Sequence, residues 1–298
     1  GQGVQIVDLS ALPSANLPNK FYKGDGAILN QLNTIHALHI DLAKGYLYAY
    51  GSNLFNGGAV VLSLNDPWNP TYVGKFDQLG YIHDGYVDND TLYAGHINAG
   101  EFSIVDMSNK SAPVLINTQT TPNAFTHNTW LSEDRKTIFT TDETANSYLA
   151  AYDVSDPTDV QYLDKLQTDP GSNAIIHNTY WLNGYVVQSY YTEGVSIYDV
   201  HDPTNIVEVG RFDTSPLTGD GFDGAWGVYP FPPSGRLLVS DIQEGLFILE
   251  PTYVQACLLQ GLISDANTSA PVNGATVTLD GTTASDLTDG FDGQYATG

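Results

Sequence analysis

Four of the seven histidines, His36, His83, His127 and His177, stand 47, 44 and 50 residues apart, and Trp226 follows after a similar interval. Three carry an acid or its amide next to them: His83-Asp84, His127-Asn128 and His177-Asn178. Imidazole beside such groups can bind a divalent metal or shuttle a proton. Glutamates keep the same step. Glu143, Glu193 and Glu244 recur at the end of one expected strand per repeat, with Asp142 beside the first. Oxygen donors of this kind suit Ca²⁺ or another divalent metal. Two acidic glycine-rich runs add to them, DTSPLTGDGFDG with Asp213, Asp220 and Asp223, and DLTDGFDG at 286–293. Neither has the spacing of an EF-hand, so calcium there is an expectation from composition alone.

The repeat around these residues says what must position them. The unit from His36 reads IHALHID, GYLYAYG, GGAVVLSLNDPWNP and TYVGKFD, and the unit from His177 reads IHNTYWLNGYVVQSYYTEG, VSIYDVHDPTNI and VEVGRFD. The apolar residues alternate with a period near two, which excludes a helical solenoid. Four short strands per unit, with Asp-Pro turns at Asp66-Pro67, Asp156-Pro157 and Asp202-Pro203, predict the blades of an all-β propeller. Residues 1–252 are read as that propeller, about five and a half blades long. It opens on a third strand at residues 3–10, with a fourth around Lys20–Asp25, and its fifth full unit stops after a third strand near Leu249. Residues 257–298 change pattern and read as the start of an immunoglobulin-like or prealbumin-like β-sandwich.

The first strand of a blade is innermost, so the recurring histidines are expected at a channel mouth. By the period of two, the aromatics three residues later (His39, Tyr86, Trp130, Tyr180 and Tyr229) are expected on the opposite face. Two readings of the histidines stand side by side. One is a metal or proton-transfer site. The other is structural: each His bonds a backbone group and locks blade to blade, as polar groups in cores usually do. Recurrence in every blade favours the second, because a site normally breaks the symmetry. Asp8, Asp106, Asp153 and Asp199, after the third strands, are read as turn caps.

Composition narrows the partners. Thirty-four acidic residues against ten basic ones give a net charge of −24. Such a field repels nucleic acid and an anionic membrane surface. The single cysteine, Cys257, allows no intrachain disulfide. No apolar run is long enough to span a bilayer. G-x-S-x-G, P-loop and G-x-G-x-x-G motifs are all absent, so the sequence carries no signature of nucleophilic or nucleotide chemistry.

The segments THNTWLSEDRKTIFTTDE (126–143), IHNTYWLNGYVVQSYYTEGVSIYDV (176–200) and FDGAWGVYPFPPSGRLLVSDIQEGLFIL (222–249) resemble LVIVD-repeat propellers, and more closely the choice-of-anchor B family of secreted bacterial proteins. The tail, with QGLISDANTSAPVNGATVTLDG, resembles a carboxypeptidase-regulatory-like domain. The resemblance implies seven blades in the intact protein, export, and attachment at the cell surface. It supplies no biochemical activity. Trp226 departs from the pattern, standing where other units have His.

The leading expectation is therefore a secreted or surface binding or scaffold module without catalysis, its partner a protein, a glycan or an anchoring or secretion machinery. One alternative is a metal-dependent hydrolase or lyase using the His/Asp/Glu residues. Another is a cargo or structural subunit of a surface or secretion assembly.

Overall fold

The computed structural model describes residues 1–282, 284–288 and 292–298. Strands and turns make up nearly all of it. Among the described residues the only helical pieces are two single 3₁₀ turns at Gly26–Ile28 and Phe55–Gly57, and no helix there is long and apolar enough to cross a membrane.

The chain opens with β1 (Val4–Val7) paired antiparallel to β2 (Asn19–Tyr22). These are the third and fourth strands that the opening residues lead one to expect. Four four-stranded sheets follow. The first is β3 (Ala37–Asp41), β4 (Tyr46–Tyr50), β5 (Ala59–Ser63) and β6 (Thr71–Phe76). The second is β7 (Asp84–Asp88), β8 (Thr91–His96), β9 (Glu101–Asp106) and β10 (Val114–Thr120). The third is β11 (Thr126–Leu131), β12 (Thr137–Asp142), β13 (Leu149–Asp153) and β14 (Gln161–Leu166). The fourth is β15 (Thr179–Leu182), β16 (Tyr185–Ser189), β17 (Val195–Asp199) and β18 (Val207–Phe212). Each is hydrogen-bonded in chain order, the meander of a propeller blade. A fifth sheet has three strands, β19 (Ala225–Tyr229), β20 (Leu237–Asp241) and β21 (Gly245–Leu249). The described residues thus hold five blades and the β1–β2 pair.

The blades repeat in detail. In all four complete blades the register slips by a bulge between third and fourth strands, at Val61/Leu62, Leu115/Asn117, Ala151/Tyr152 and Ile197/Tyr198. A bulge bends and twists the outer strand. The Asp-Pro turns close as their chemistry dictates: Asp66, Asp156 and Asp202 accept the backbone N–H two residues on at 2.9, 2.9 and 3.0 Å. Asp8, Asp106 and Asp199 cap the turns after their strands in the same way.

Two compact units are distinguished, Gly1–Leu131 with Thr140–Glu143 and Val154–Val160, and Ser132–Phe139 with Thr144–Asp153 and Gln161–Gly298. In the first, Tyr48, Tyr50, Ala59, Val61, Phe76, Ile82, Leu92 and Val105 form a core between the first two blades. In the second, Val186, Tyr190, Tyr198 and Ile176 pack with Phe139, Leu149 and Ala151.

The tail forms two separate two-stranded ladders, β22 (Leu259–Leu262) with β25 (Gln294–Thr297), and β23 (Thr276–Thr278) with β24 (Ser285–Leu287). Part of the acidic run at 286–293 lies outside the described residues.

Candidate metal centre

The first unit gathers three of the recurring residues. His83 and His127 each point Nε2 at Oε2 of Glu143, at 3.9 and 3.7 Å. One ligand atom from each of the three lies within 4.8 Å of the others, and no other such group of His, Cys, Asp or Glu occurs among the described residues. His83 and Glu143 keep only 13% and 12% of their side chains exposed, and His127 only 3%. The rings of His36 and His83 stand 3.9 Å apart, centroid to centroid, and those of His83 and His127 4.6 Å apart.

Backbone chemistry sets these positions. The N–H of His36 and of His83 bonds the carbonyl at the end of the blade's second strand, Tyr50 and Gly95, both at 2.9 Å. Gly95 also lets β8 approach β11, since a Cβ there would sit 2.8 Å from the carbonyl oxygen of His127. Thr129 Oγ1 donates to the Tyr93 carbonyl at 2.9 Å, which pins β11 against β8. Glu143 directly follows β12, with its N–H on the Phe125 carbonyl at 3.2 Å.

The neighbouring acids do other work. Asn128 Nδ2 donates to Asp84 Oδ2 at 2.7 Å, a clamp between β7 and β11. Asp142, fully buried, accepts the N–H groups of Asn123 and Phe125 at 2.8 and 3.0 Å and the Thr121 hydroxyl at 2.5 Å. Burial pushes its carboxyl above the usual range, and those hydrogen bonds pull it back. These three residues were expected as ligands; their polar atoms are used in holding strands and the 121–125 loop.

Burial, and secondarily the nearby His36, pushes His83 down to about 4. Burial also lowers His36. A neutral imidazole is the form that binds metal. Two ligands about 2.1 Å from one ion stand at most about 4.2 Å apart. The pairs at 3.7 and 3.9 Å fall inside that limit, and all three ligand atoms lie within 4.8 Å, so a small inward shift of the imidazoles would close them on an ion. Two imidazoles and one carboxylate match Zn²⁺ and its transition-metal neighbours. Ca²⁺ takes six to eight oxygens, which these three side chains do not supply.

The second unit treats its members differently. His177 Nδ1 donates to the Trp226 carbonyl oxygen, which also accepts the Ser189 hydroxyl at 3.1 Å. This is the structural role weighed for the histidines. The N–H of Asn178 meets the Ser189 hydroxyl at 3.2 Å. Trp226 is 54% exposed. Glu193 pairs with Arg211 at 3.3 Å, and Glu244 is exposed. Asp213 caps the N–H of Ser215 at 2.9 Å, Asp223 accepts from Gln243 Nε2, and Asp220 is exposed. None of these belongs to a metal-sized cluster among the described residues.

The positions three residues later make a second layer of rings beside the histidines: His39 and Tyr86 lie 4.8 Å apart, Tyr86 and Trp130 4.6 Å. Sequence reasoning passed over Tyr81, whose hydroxyl lies 3.4 Å from His83 Nδ1. It stands outside the repeat positions that were aligned.

Residues 96–121 match the LVIVD repeat family model. No curated protein matches the chain. Among solved structures, the periplasmic gluconolactonase PpgL of Pseudomonas aeruginosa superposes with a TM-score of 0.56 at 12% identity, over 88% of this chain and 72% of its own. A candidate 6-phosphogluconolactonase from Bacteroides uniformis gives 0.59 at 11% identity, over 95% and 88%. The β-propeller domain of Myceliophteria thermophila Cps50 (Swd1) gives 0.52 at 14%, over 70% and 66%. These likenesses correct the leading expectation of a module without catalysis. It rested on missing sequence signatures, yet the fold is one in which enzymes occur, and fold does not fix function. The described residues form an all-β propeller of five blades, and residues 96–121 carry an LVIVD repeat.

Proposed function

We propose that this protein is a metal-assisted hydrolase acting on a cyclic or simple ester, with His83, His127 and Glu143 holding the metal. The observation that carries the reading is the convergence of two imidazole nitrogens on one carboxylate oxygen at 3.7 and 3.9 Å. Three protein ligands leave a tetrahedral ion one open position, the arrangement of catalytic zinc sites. A bound metal there supplies Lewis-acid polarisation of an ester carbonyl and lowers the pKa of coordinated water to about 7. The chain's own residues hold that position: two nearly buried imidazoles fix the geometry, and the carboxylate offsets the charge. Gluconolactonase and 6-phosphogluconolactonase, whose fold this chain shares, support the choice of a lactone as first substrate to try.

The test is hydrolysis of a panel of sugar lactones and aryl esters by protein stripped with a chelator and then reloaded with Zn²⁺ or Mn²⁺. Turnover restored by metal is expected. Equal turnover with and without metal, or none on any ester, overturns the reading. Export, a surface partner, seven blades in the intact protein and a sandwich-type C-terminal domain are further proposals, supported by the sequence resemblance.

A further inference from the structure

Tyr81 sits behind the proposed centre in an arrangement too closely fitted to be packing alone. Its ring lies against two glycines of the segment that joins β4 to β5. A Cβ at Gly57 (φ +82°) would meet Tyr81 Cδ2 at 2.5 Å, and one at Gly51 (φ +59°) would meet the Tyr81 hydroxyl at 3.1 Å. Its backbone is pinned as well. The imidazole of His96, 1% exposed, donates from Nδ1 to the Tyr81 carbonyl at 3.1 Å and accepts the Ser103 hydroxyl on Nε2 at 2.9 Å. The next residue, Ile82, is buried and donates its N–H to the Gly57 carbonyl at 3.1 Å. A chain of contacts thus runs from Ser103 through His96 to Tyr81, and ends with the Tyr81 hydroxyl 3.4 Å from His83 Nδ1.

We propose that Tyr81 is the positioning residue of the centre: its hydroxyl oxygen accepts the Nδ1 proton of His83 and fixes the tautomer whose Nε2 lone pair faces Glu143. A metal-binding His needs that lone pair, and which nitrogen carries the proton is set by the partner of the other nitrogen. Nε2 of His83 is the nitrogen directed at Glu143, so a ring that binds metal through Nε2 carries its proton on Nδ1, where Tyr81 is the hydrogen-bonding neighbour. The proposal rests on the metal reading for its purpose, while the tautomer itself can be observed without metal.

The experiment uses the full chain and two readouts. The first is ¹⁵N NMR of the His83 ring in metal-free protein at fixed neutral pH. Wild type should show a larger fraction of rings protonated on Nδ1 than Tyr81→Phe, in which the Glu143 carboxylate draws the proton to Nε2. The second is Zn²⁺ titration, in which Tyr81→Phe should weaken binding about 10–100-fold, the usual loss when such an outer partner is removed. Gly57→Ala, which displaces the ring and keeps the hydroxyl, should weaken binding in the same direction. An unchanged His83 tautomer in a folded Tyr81→Phe protein overturns the proposal, whatever the metal result. Absence of Zn²⁺ binding by wild type, with the tautomer shift still seen, sinks the metal reading and leaves Tyr81's control of His83 standing.

Discussion

At the scale of single residues, the division of labour between neighbours decides what the site can be. His83 and Asp84 are adjacent in sequence, as are Asp142 and Glu143. In each pair one member faces the cluster and the other is spent on the scaffold. A carboxylate that already accepts a clamp or two backbone N–H groups is a poor recruit for a metal, because it would have to give up those bonds. The Asp84–Asn128 pair therefore makes a separable prediction. Asn128→Ala should destabilise the fold by about 1.5–3 kcal/mol, the range for a hydrogen bond to a charged group, read as a lower denaturant midpoint. Zn²⁺ affinity should change far less than on loss of Glu143. A loss of metal binding as large as that of a Glu143 variant, in folded protein, would place Asn128 or Asp84 in the centre after all.

At the scale of elements, most of the architecture was legible. Alternating apolar residues, Asp-Pro turns and the 44–50-residue step fixed the blades, and β1–β2 and the three-stranded fifth blade fall where their motifs put them. The arrangement within the site was legible only in part. Alternation describes residues inside a strand, and it does not tell which rings of successive blades meet, so the layer of His39, Tyr86 and Trp130 was not legible as a stack. Tyr81 was invisible because it acts from a connecting segment that the repeat does not carry in register. The aromatic layer has a pH signature. Burial pushes His39 down to about 4, against 6.5 for the free side chain. Between those values the unfolded chain binds a proton that the folded chain does not, so stability present at neutral pH is lost as pH falls from about 6.5 toward 4. His39→Phe, which keeps a ring against Tyr86 and Trp130, should reduce that loss in metal-free protein. His96 and His83, lowered by burial too, keep the remainder. Urea midpoints at pH 7 and pH 4.5 check it. An equal drop in wild type and variant would show that His39 titrates normally.

At the scale of the whole molecule, repetition and asymmetry meet. The four complete blades share the same bulge and three of them the same Asp-Pro turn, and the recurring histidines are first of all products of that repetition. Function enters where the symmetry breaks. In the second unit His177 is committed to the Trp226 carbonyl, and Glu193 to Arg211. In the first unit His83 and His127 meet Glu143. A net charge of −24 adds a field that concentrates cations. The most direct measurement is equilibrium binding of Zn²⁺ to metal-free wild type and to Glu143→Gln, with folding checked by thermal unfolding. One ion per wild-type chain is expected, with affinity at least about 100-fold weaker in the variant, beyond the loss typical of an outer partner. Wild type that binds no stoichiometric ion, or a folded Glu143→Gln protein that binds as tightly, would contradict a metal centre at these three residues.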